Sequence, residues 1–372
     1  MKTATIIGYH GHHNLGDDIF LRVTCRWLEQ VMGVATCYVS ETSGSVCRTL
    51  SGVNVVPFSN PYSRISRLMW GPIFLRAVKS DFMVFSAGSI FTIQPFFLMY
   101  LTLRLLRLLR GRCLQVMAIG VSIGPFANKR AEYWCARSLA LMDNVLIRDS
   151  QSKQRIDDMR LGIHSILSYD LALSWANALP CTKEKDKRVV IGLSITERGF
   201  GCCEAEHSRN CKAITRACHS ILKQFAEIEV RICSVCSDPI DGDQHISGHM
   251  RSQLAEWVDR IECVVYDGNE LNGVRVSIAS CSVMVASRMH AGILATLASV
   301  PVYQISYAEK IRNFFIHSGL SSRFLYDHSE VSEQSLQQFL RAGVTGELKT
   351  FANEQAIVLD RKGDHVEKSL LG

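Results

Sequence analysis

Several features are missing from this 372-residue sequence, and each absence removes a class of protein. There is no block of like charge. Its 41 Lys and Arg are scattered among 35 Asp and Glu, leaving a formal net charge of +6. A nucleic-acid binder gathers its cations into a patch or stripe, so no nucleic-acid partner is expected. There is no run of roughly 20 predominantly apolar residues, the length a membrane-spanning helix needs. Residues 1–8 offer one lysine and a very short apolar stretch, without the long apolar core or small-residue cleavage site of a signal peptide. The expectation is a cytoplasmic chain. Repeats at a solenoid period and low-complexity tracts are absent too.

Cysteine is abundant, at 14 residues, but lacks a framework. Disulfide scaffolds belong to short secreted chains, and the CxxC of Cys233 and Cys236 has no second pair at zinc-site spacing. Its surroundings read as a strand, so these thiols are expected to be small buried hydrophobes. Cys202-Cys203, in an expected loop, reads the same way, and no metal site is expected. At 47% apolar and 20% charged, the chain has the balance of a folded globular protein.

Apolar, β-branched runs ending in small residues recur at 3–8, 35–40, 53–57, 82–87, 113–120 and 144–147, separated by helical patterns at 17–32, 96–110 and 130–142. A polar, charged stretch holding Pro180, residues 176–187, breaks the series. A second series follows, with strands expected at 188–194, 229–236, 261–266, 283–286 and 302–305. Strands alternating with helices specify parallel sheets covered on both faces. The fold class is therefore α/β, with two Rossmann-like domains, 1–175 and 188–345, facing across a cleft. A charged helical segment occupies 346–372. Ligands of such sheets bind beyond the carboxyl ends of the strands.

The stretch 96–110 is leucine-rich, with Arg104, Arg107 and Arg110 at three-residue spacing near one helix face. It reads either as a helix packed on a sheet with a solvated basic edge or as an interfacial helix on anionic lipid.

Four constellations carry the chemistry. The first, Gly8-Tyr9-His10-Gly11-His12-His13-Asn14-Leu15-Gly16-Asp17-Asp18, joins a strand to a helix. Its glycines fit neither GxGxxG nor a Walker loop, and adjacent histidines in a glycine loop are not a usual zinc pattern. Asp17 and Asp18 stand where carboxylates cap a helix, and they can also take protons from sugar hydroxyls. The second is a pair of strand ends, Ser86-Ala87-Gly88-Ser89 and Gly120-Val121-Ser122-Ile123-Gly124-Pro125, which let ligand or backbone approach closely. The third is Arg148-Asp149-Ser150-Gln151-Ser152, where Arg148 is an oxyanion partner or half of a surface salt bridge, and Asp149 or Ser150 caps the next helix. The fourth is Ser287-Arg288-Met289-His290 followed by Pro301 to Lys310. Adjacent parallel strands bring its two parts to one rim, with Arg288 and Lys310 for an anion and His290 to move a proton near neutral pH.

Taken in order, these segments resemble the polysaccharide pyruvyltransferase family, whose motifs run GYxGxxNxGDD, a glycine-rich strand end, GxxIGP, RDxxS, and SxRxHA followed by GVPVxxISYxxK. The likeness extends over roughly residues 3–318. It departs at Ser122, where the family often has glycine, in the thinned Ser86 to Ser89 strand end, and in a compressed Ser287-Arg288. The resemblance implies the glycosyltransferase B architecture. It also implies phosphoenolpyruvate as co-substrate, no cofactor, and a cyclic pyruvate ketal on two hydroxyls of a sugar acceptor, lipid-linked or nucleotide-linked. In those terms His290 is the acid, Arg148, Arg288 and Lys310 hold phosphate and carboxylate, and Asp17 or Asp18 is the base. Asn14, Gly88, Ser89 and Tyr307 complete the substrate contacts. A lipid-linked acceptor implies peripheral contact with the inner face of the membrane. Two other readings stay open: a sugar-nucleotide glycosyltransferase, with Glu309 as its one candidate ribose ligand, and a non-catalytic nucleotide-binding protein.

Overall fold

The alternating runs fold as two parallel sheets in the computed structural model, which describes residues 1–41, 49–50, 53–59, 70–92, 95–177, 188–197, 204–238 and 242–371. Most of the expected linker, residues 178–187, and the Cys202-Cys203 pair lie outside the described residues. The chain divides into two units. One comprises 1–12, 16–175 and 363–372, and the other 13–15 and 176–362.

The first unit runs β1 (Lys2–His10), α1 (Leu15–Gln30), β2 (Val34–Glu41), β3 (Thr49–Leu50), β4 (Val53–Ser59), α2 (Trp70–Ala77), β5 (Phe82–Phe85), α3 (Phe96–Arg110), β6 (Gln115–Val121), α4 (Lys129–Leu139), β7 (Asn144–Ile147), α5 (Ser150–Met159), β8 (His164–Leu167) and α6 (Ala172–Asn177). Its eight strands lie in the order β3-β4-β2-β1-β5-β6-β7-β8, parallel except for the β3–β4 pair. Phe82 to Phe85 are all buried, as helices on both faces require of a central strand. Chain order reverses between β1 and β5, so the loops after these two strands flank a topological switch point.

The second unit runs β9 (Val189–Ser194), α7 (Glu204–Gln224), β10 (Ile228–Ser234), α8 (Gln244–Gln253), β11 (Ile261–Val265), α9 (Leu271–Ala279), β12 (Val283–Ala286), α10 (Met289–Leu297), β13 (Val302–Ser306), α11 (Glu309–Ser318), β14 (Leu325–Asp327), α12 (Glu333–Val344) and α13 (Lys349–Leu371). All six strands are parallel, in the order β11-β10-β9-β12-β13-β14. This is the Rossmann order, with its switch point between β9 and β12. The last turns of α13 group with the first unit: the Trp27 indole donates to the Leu370 carbonyl, and Tyr169 meets His365 edge-on at 5.4 Å.

The thiols of the CxxC are buried, and burial pushes Cys233 well above its ordinary pKa and Cys236 to about 11. Both stay protonated, as buried hydrophobes should. No group able to hold a metal ion occurs among the described residues.

Helix α3 departs from the basic-edge reading. Arg107 turns inward, donating to the carbonyls of Leu141 (2.8 Å) and Leu114 (2.7 Å) and pairing with Asp143 (2.7 Å). Arg110 reaches the Ser80 carbonyl at 3.4 Å. These carbonyls lie at the ends of neighbouring elements and need donors. Leucine is left on the outside.

Helix α12 packs on β12 through Gly343, where an added Cβ falls 2.5 Å from Val283 Cγ2. Alanine is the better helix former, by about 1 kcal/mol. Gly343→Ala is nonetheless expected to lower stability by about 1–3 kcal/mol through overpacking, read from the urea midpoint. A stabilised variant would show that the helix can simply move away.

Candidate functional site

The second unit brings the fourth constellation to one edge. Ala286 pairs with Gln304 across β12 and β13, so the chain leaves both strands on the same rim. Ser287 is fully buried and structural: its amide donates to the Ser194 carbonyl (2.9 Å), and its Oγ accepts from the Thr196 amide (2.8 Å). The ends of β9 and β12 are thereby tied at the switch point. Arg288 occupies the N-cap position of α10 in an extended conformation, without capping it by side chain. His290, half-buried, is the second residue of that helix, where backbone N–H groups point outward and favour negative charge. Beyond β13, the exposed Lys310 holds its Nζ 6.0 Å from the centre of the Tyr307 ring.

Arg288 is not the uncommitted cation that the sequence implied. Its Nε (2.8 Å) and Nη2 (2.6 Å) both donate to Oδ1 of Asp243, which is fully buried. The other carboxylate oxygen accepts from the amides of Val235 (3.2 Å) and Cys236 (3.1 Å). Burial pushes the Asp243 carboxyl above its ordinary range, against the pull of Arg288 and those two amides. Burial likewise opposes the Arg288 charge, but Asp243 outweighs it and holds the guanidinium protonated.

The first unit repeats the device. Arg148 is buried rather than on the surface, its Nη1 2.9 Å from Oδ2 of the fully buried Asp170. Its Nε donates to Ser122 Oγ (2.8 Å), which donates in turn to Asp149 Oδ2 (2.7 Å). Ser122, a departure from the family pattern, is thus the bridge between Arg148 and Asp149. Asp149, rather than Ser150, caps α5 by accepting from the Ser152 amide (2.8 Å), and Ser152 Oγ takes the Ile123 amide (2.8 Å). The RDxxS motif therefore locks two strand-end turns together. Gly88 makes room for the arginine, since an added Cβ there would lie 2.5 Å from Arg148 Cζ. Ser89, half-buried, follows it on the same turn.

Asp17 and Asp18 sit in the first turn of α1, partly buried. Asn14 forms an isolated antiparallel bridge with Cys236, and the Leu15 amide donates to the Val235 carbonyl (3.0 Å), so residues 13–15 group with the second unit.

Three residues escaped the sequence reading. Asp170 and Asp243 each precede a helix, as a capping aspartate does, and nothing in sequence distinguishes a cap from a buried counter-ion. Asp243 occupies the N-cap position yet caps nothing with its side chain. His10 ends β1 fully buried, and burial lowers its pKa to about 4, a hydrogen bond with the Asp17 backbone countering only in part. It stays neutral where an exposed histidine would titrate.

Two predictions follow from this burial. Removing the charge from one member of a buried pair leaves the other uncompensated, at a cost of about 3–5 kcal/mol. Asp170→Asn should therefore lower the unfolding midpoint accordingly, and an unchanged midpoint would show that the Arg148 pair contributes nothing net. For His10, the unfolded chain takes up a proton near the ordinary pKa and the folded chain only near pH 4. The unfolded state binds more protons between these values, so stability is full above the ordinary pKa and falls as pH drops toward 4, by about 2–3 kcal/mol. His10→Asn should flatten that part of the stability–pH curve, and an unaltered curve would assign the slope to other groups.

No curated protein matches the chain in sequence. Among solved structures, it superposes on UDP-GlcNAc 2-epimerase from Neisseria meningitidis bound to UDP-GlcNAc, at TM-score 0.63 and 12% identity over 100% of both chains. An Anabaena protein, HepE, in complex with UDP-glucose gives 0.59 at 9% identity over 100% of this chain and 98% of that one. The lipopolysaccharide outer core galactosyltransferase WaaB gives 0.51 at 13% identity over 99% of each. At such identities the likeness establishes the fold alone, the α/β architecture of B-type glycosyltransferases and sugar-nucleotide epimerases. Sequence supplies the rest: the family model for polysaccharide pyruvyl transferase matches residues 14–309, from the Asn14 loop to the start of α11. The chain belongs to the polysaccharide pyruvyl transferase family.

Proposed function

We propose that the protein transfers pyruvate from phosphoenolpyruvate to two hydroxyls of a cell-surface polysaccharide sugar, forming a cyclic ketal. The observation that supports this reading is the rim of the second unit, where the neighbouring strands β12 and β13 lead into Arg288 and His290 on one side and Tyr307 and Lys310 on the other, with Arg288 held by Asp243. A phosphorylated carboxylate needs such a set, namely fixed N–H donors, a mobile cation and a proton donor.

In this reading His290 delivers a proton to the methylene carbon of phosphoenolpyruvate, and positive charge develops at the adjacent carbon. One sugar hydroxyl attacks that carbon and gives its proton to a carboxylate base. The carbon–oxygen bond to phosphate breaks, phosphate taking up the first hydroxyl's proton as it leaves, and a second hydroxyl closes the ketal and returns its proton to His290. Lys310 and the helix N-terminus meet the charge growing on the departing phosphate. Arg288 contributes direction more than net charge, because Asp243 already balances it. No step calls on a metal or an organic cofactor. The same chemistry serves a sugar carried on lipid and one carried on a nucleotide.

The test is thermal stability with phosphoenolpyruvate, set against UDP and GDP. A ligand bound at a hundred times its Kd adds about 2.7 kcal/mol to the folded state. A shift is expected with phosphoenolpyruvate, and it should shrink in Lys310→Ala, an exposed residue whose loss leaves the core untouched. Arg288→Ala is a poor probe because it strands Asp243. With an acceptor present, His290→Ala should release phosphate roughly 10²–10⁴-fold more slowly while melting like the parent. A shift with UDP alone would point to a sugar-nucleotide enzyme instead.

A further inference from the structure

Helix α3 carries a surface that the described residues of the first unit do not cover. Phe96, Met99, Thr102, Leu103 and Leu106 are buried. On the opposite side Phe97, Leu101, Leu105, Leu108 and Leu109 are exposed, the last two by 69% and 64%. At 3.6 residues per turn, Phe97, Leu101, Leu105 and Leu108 share an arc of about 80°, with Arg104 on its edge. Four large apolar side chains in one continuous row, with Leu109 at its flank, differ from the singly scattered leucines of an ordinary surface.

Two further observations bear on what covers the row. On the adjoining α4, Trp134 packs against Phe97 (4.7 Å), Tyr100 (5.2 Å) and Tyr133 (4.9 Å), and Tyr133 is itself exposed. Rings with an apolar body and a polar tip are the ones that settle at the headgroup level of a bilayer. The charge is one-sided as well. Between Asp81 and Glu132 the sequence has no carboxylate, while it has Arg104, Arg107, Arg110, Arg112, Lys129 and Arg130. Of these, Arg104, Arg112 and Arg130 are exposed, Arg137 of α4 joins them, and Lys129 is exposed but lies 3.8 Å from Glu132. A protein partner would need a shaped complement to this row. The boundary between anionic headgroups and acyl chains accepts flexible leucines, arginines and a Tyr–Trp rim together.

We propose that this face of the first unit docks on an anionic lipid bilayer, with α3 lying in the interface plane and its leucine row at the acyl boundary. Helix α3 follows the β5 turn that holds Gly88 and Ser89, so the docking face starts at the carboxyl rim of its own sheet. The proposal is independent of the donor chemistry assigned to the second unit.

The experiment is cosedimentation of the full chain with vesicles of phosphatidylcholine alone and with vesicles in which a third of the lipid is phosphatidylglycerol. Binding is expected only to the anionic vesicles, and it should weaken as salt is raised. Leu105→Gln with Leu108→Gln should cut the partition coefficient about tenfold or more. Arg104→Gln with Arg112→Gln should cut it on the order of tenfold at low salt. All four positions are exposed, so both double variants should melt like the parent. Sedimentation that ignores anionic lipid or the leucine pair would overturn the proposal. So would a dimer in solution that the leucine variant converts to monomers, since a second copy would then cover the face. The phosphoenolpyruvate-induced thermal shift, measured on the same leucine variant, should persist, which keeps the outcome of this proposal separate from that of the donor site.

Discussion

Parallel pairing is the constraint from which both candidate rims follow. When every strand of a sheet runs the same way, every carboxyl end emerges on one edge, and helices must return the chain across the faces. Residues distant in sequence then share an edge with no further instruction. Ser287 and Thr196 are 91 positions apart and joined by a 2.8 Å hydrogen bond, because β12 and β9 are neighbours in register. In both sheets chain order reverses beside the strand whose loop carries a family motif, which is where a crevice opens.

An arginine at a buried strand end creates a second demand. Its charge cannot be taken from water without a partner, and each unit supplies a buried aspartate of its own: Asp170 for Arg148 and Asp243 for Arg288. Each carboxylate also satisfies backbone amides, those of Ala172 in one case and of Val235 and Cys236 in the other. The ion pairs thus fix loop backbone as well as charge. Sequence motifs that look like ligand contacts are, in large part, the scaffolding that sets the rim's shape.

This explains how far the sequence could be read. Strand β7, Asn144–Ile147, is legible to the residue because an apolar run ending before a capping aspartate has one interpretation. Strands β8 and β14 were not seen: each is a short edge strand, mostly half-buried, so its apolar signal is weak. The strands leading to Gly88, Ser122, Arg148 and Arg288 end within two residues of the expected positions, whereas Lys310 falls in the first turn of α11 rather than at the strand end. What sequence could not give was their commitments. Spacing shows that Arg288 starts a helix, but a partner 45 residues away is fixed only by how β10 and β12 flank β9. The arginines of α3 show the same limit: three-residue spacing suggests a basic edge, and only the nearby carbonyls of Leu114 and Leu141 show that Arg107 turns inward.

The locked arginines also bear on the proposed donor, since they decide how an anion would be held at this rim and then released. A guanidinium pinned through Nε and Nη2 has its remaining donor directions fixed in advance, so little conformational entropy is lost when it meets a ligand. Its charge, however, is largely cancelled by the carboxylate behind it. Net attraction for an anion then rests on groups that can respond: the exposed, flexible Lys310 and the N–H groups that open α10. Such a rim orients strongly and attracts weakly. That balance fits the proposed transfer, in which the leaving group is itself an anion, because a cluster of unmatched arginines would bind a released phosphate more tightly than turnover allows.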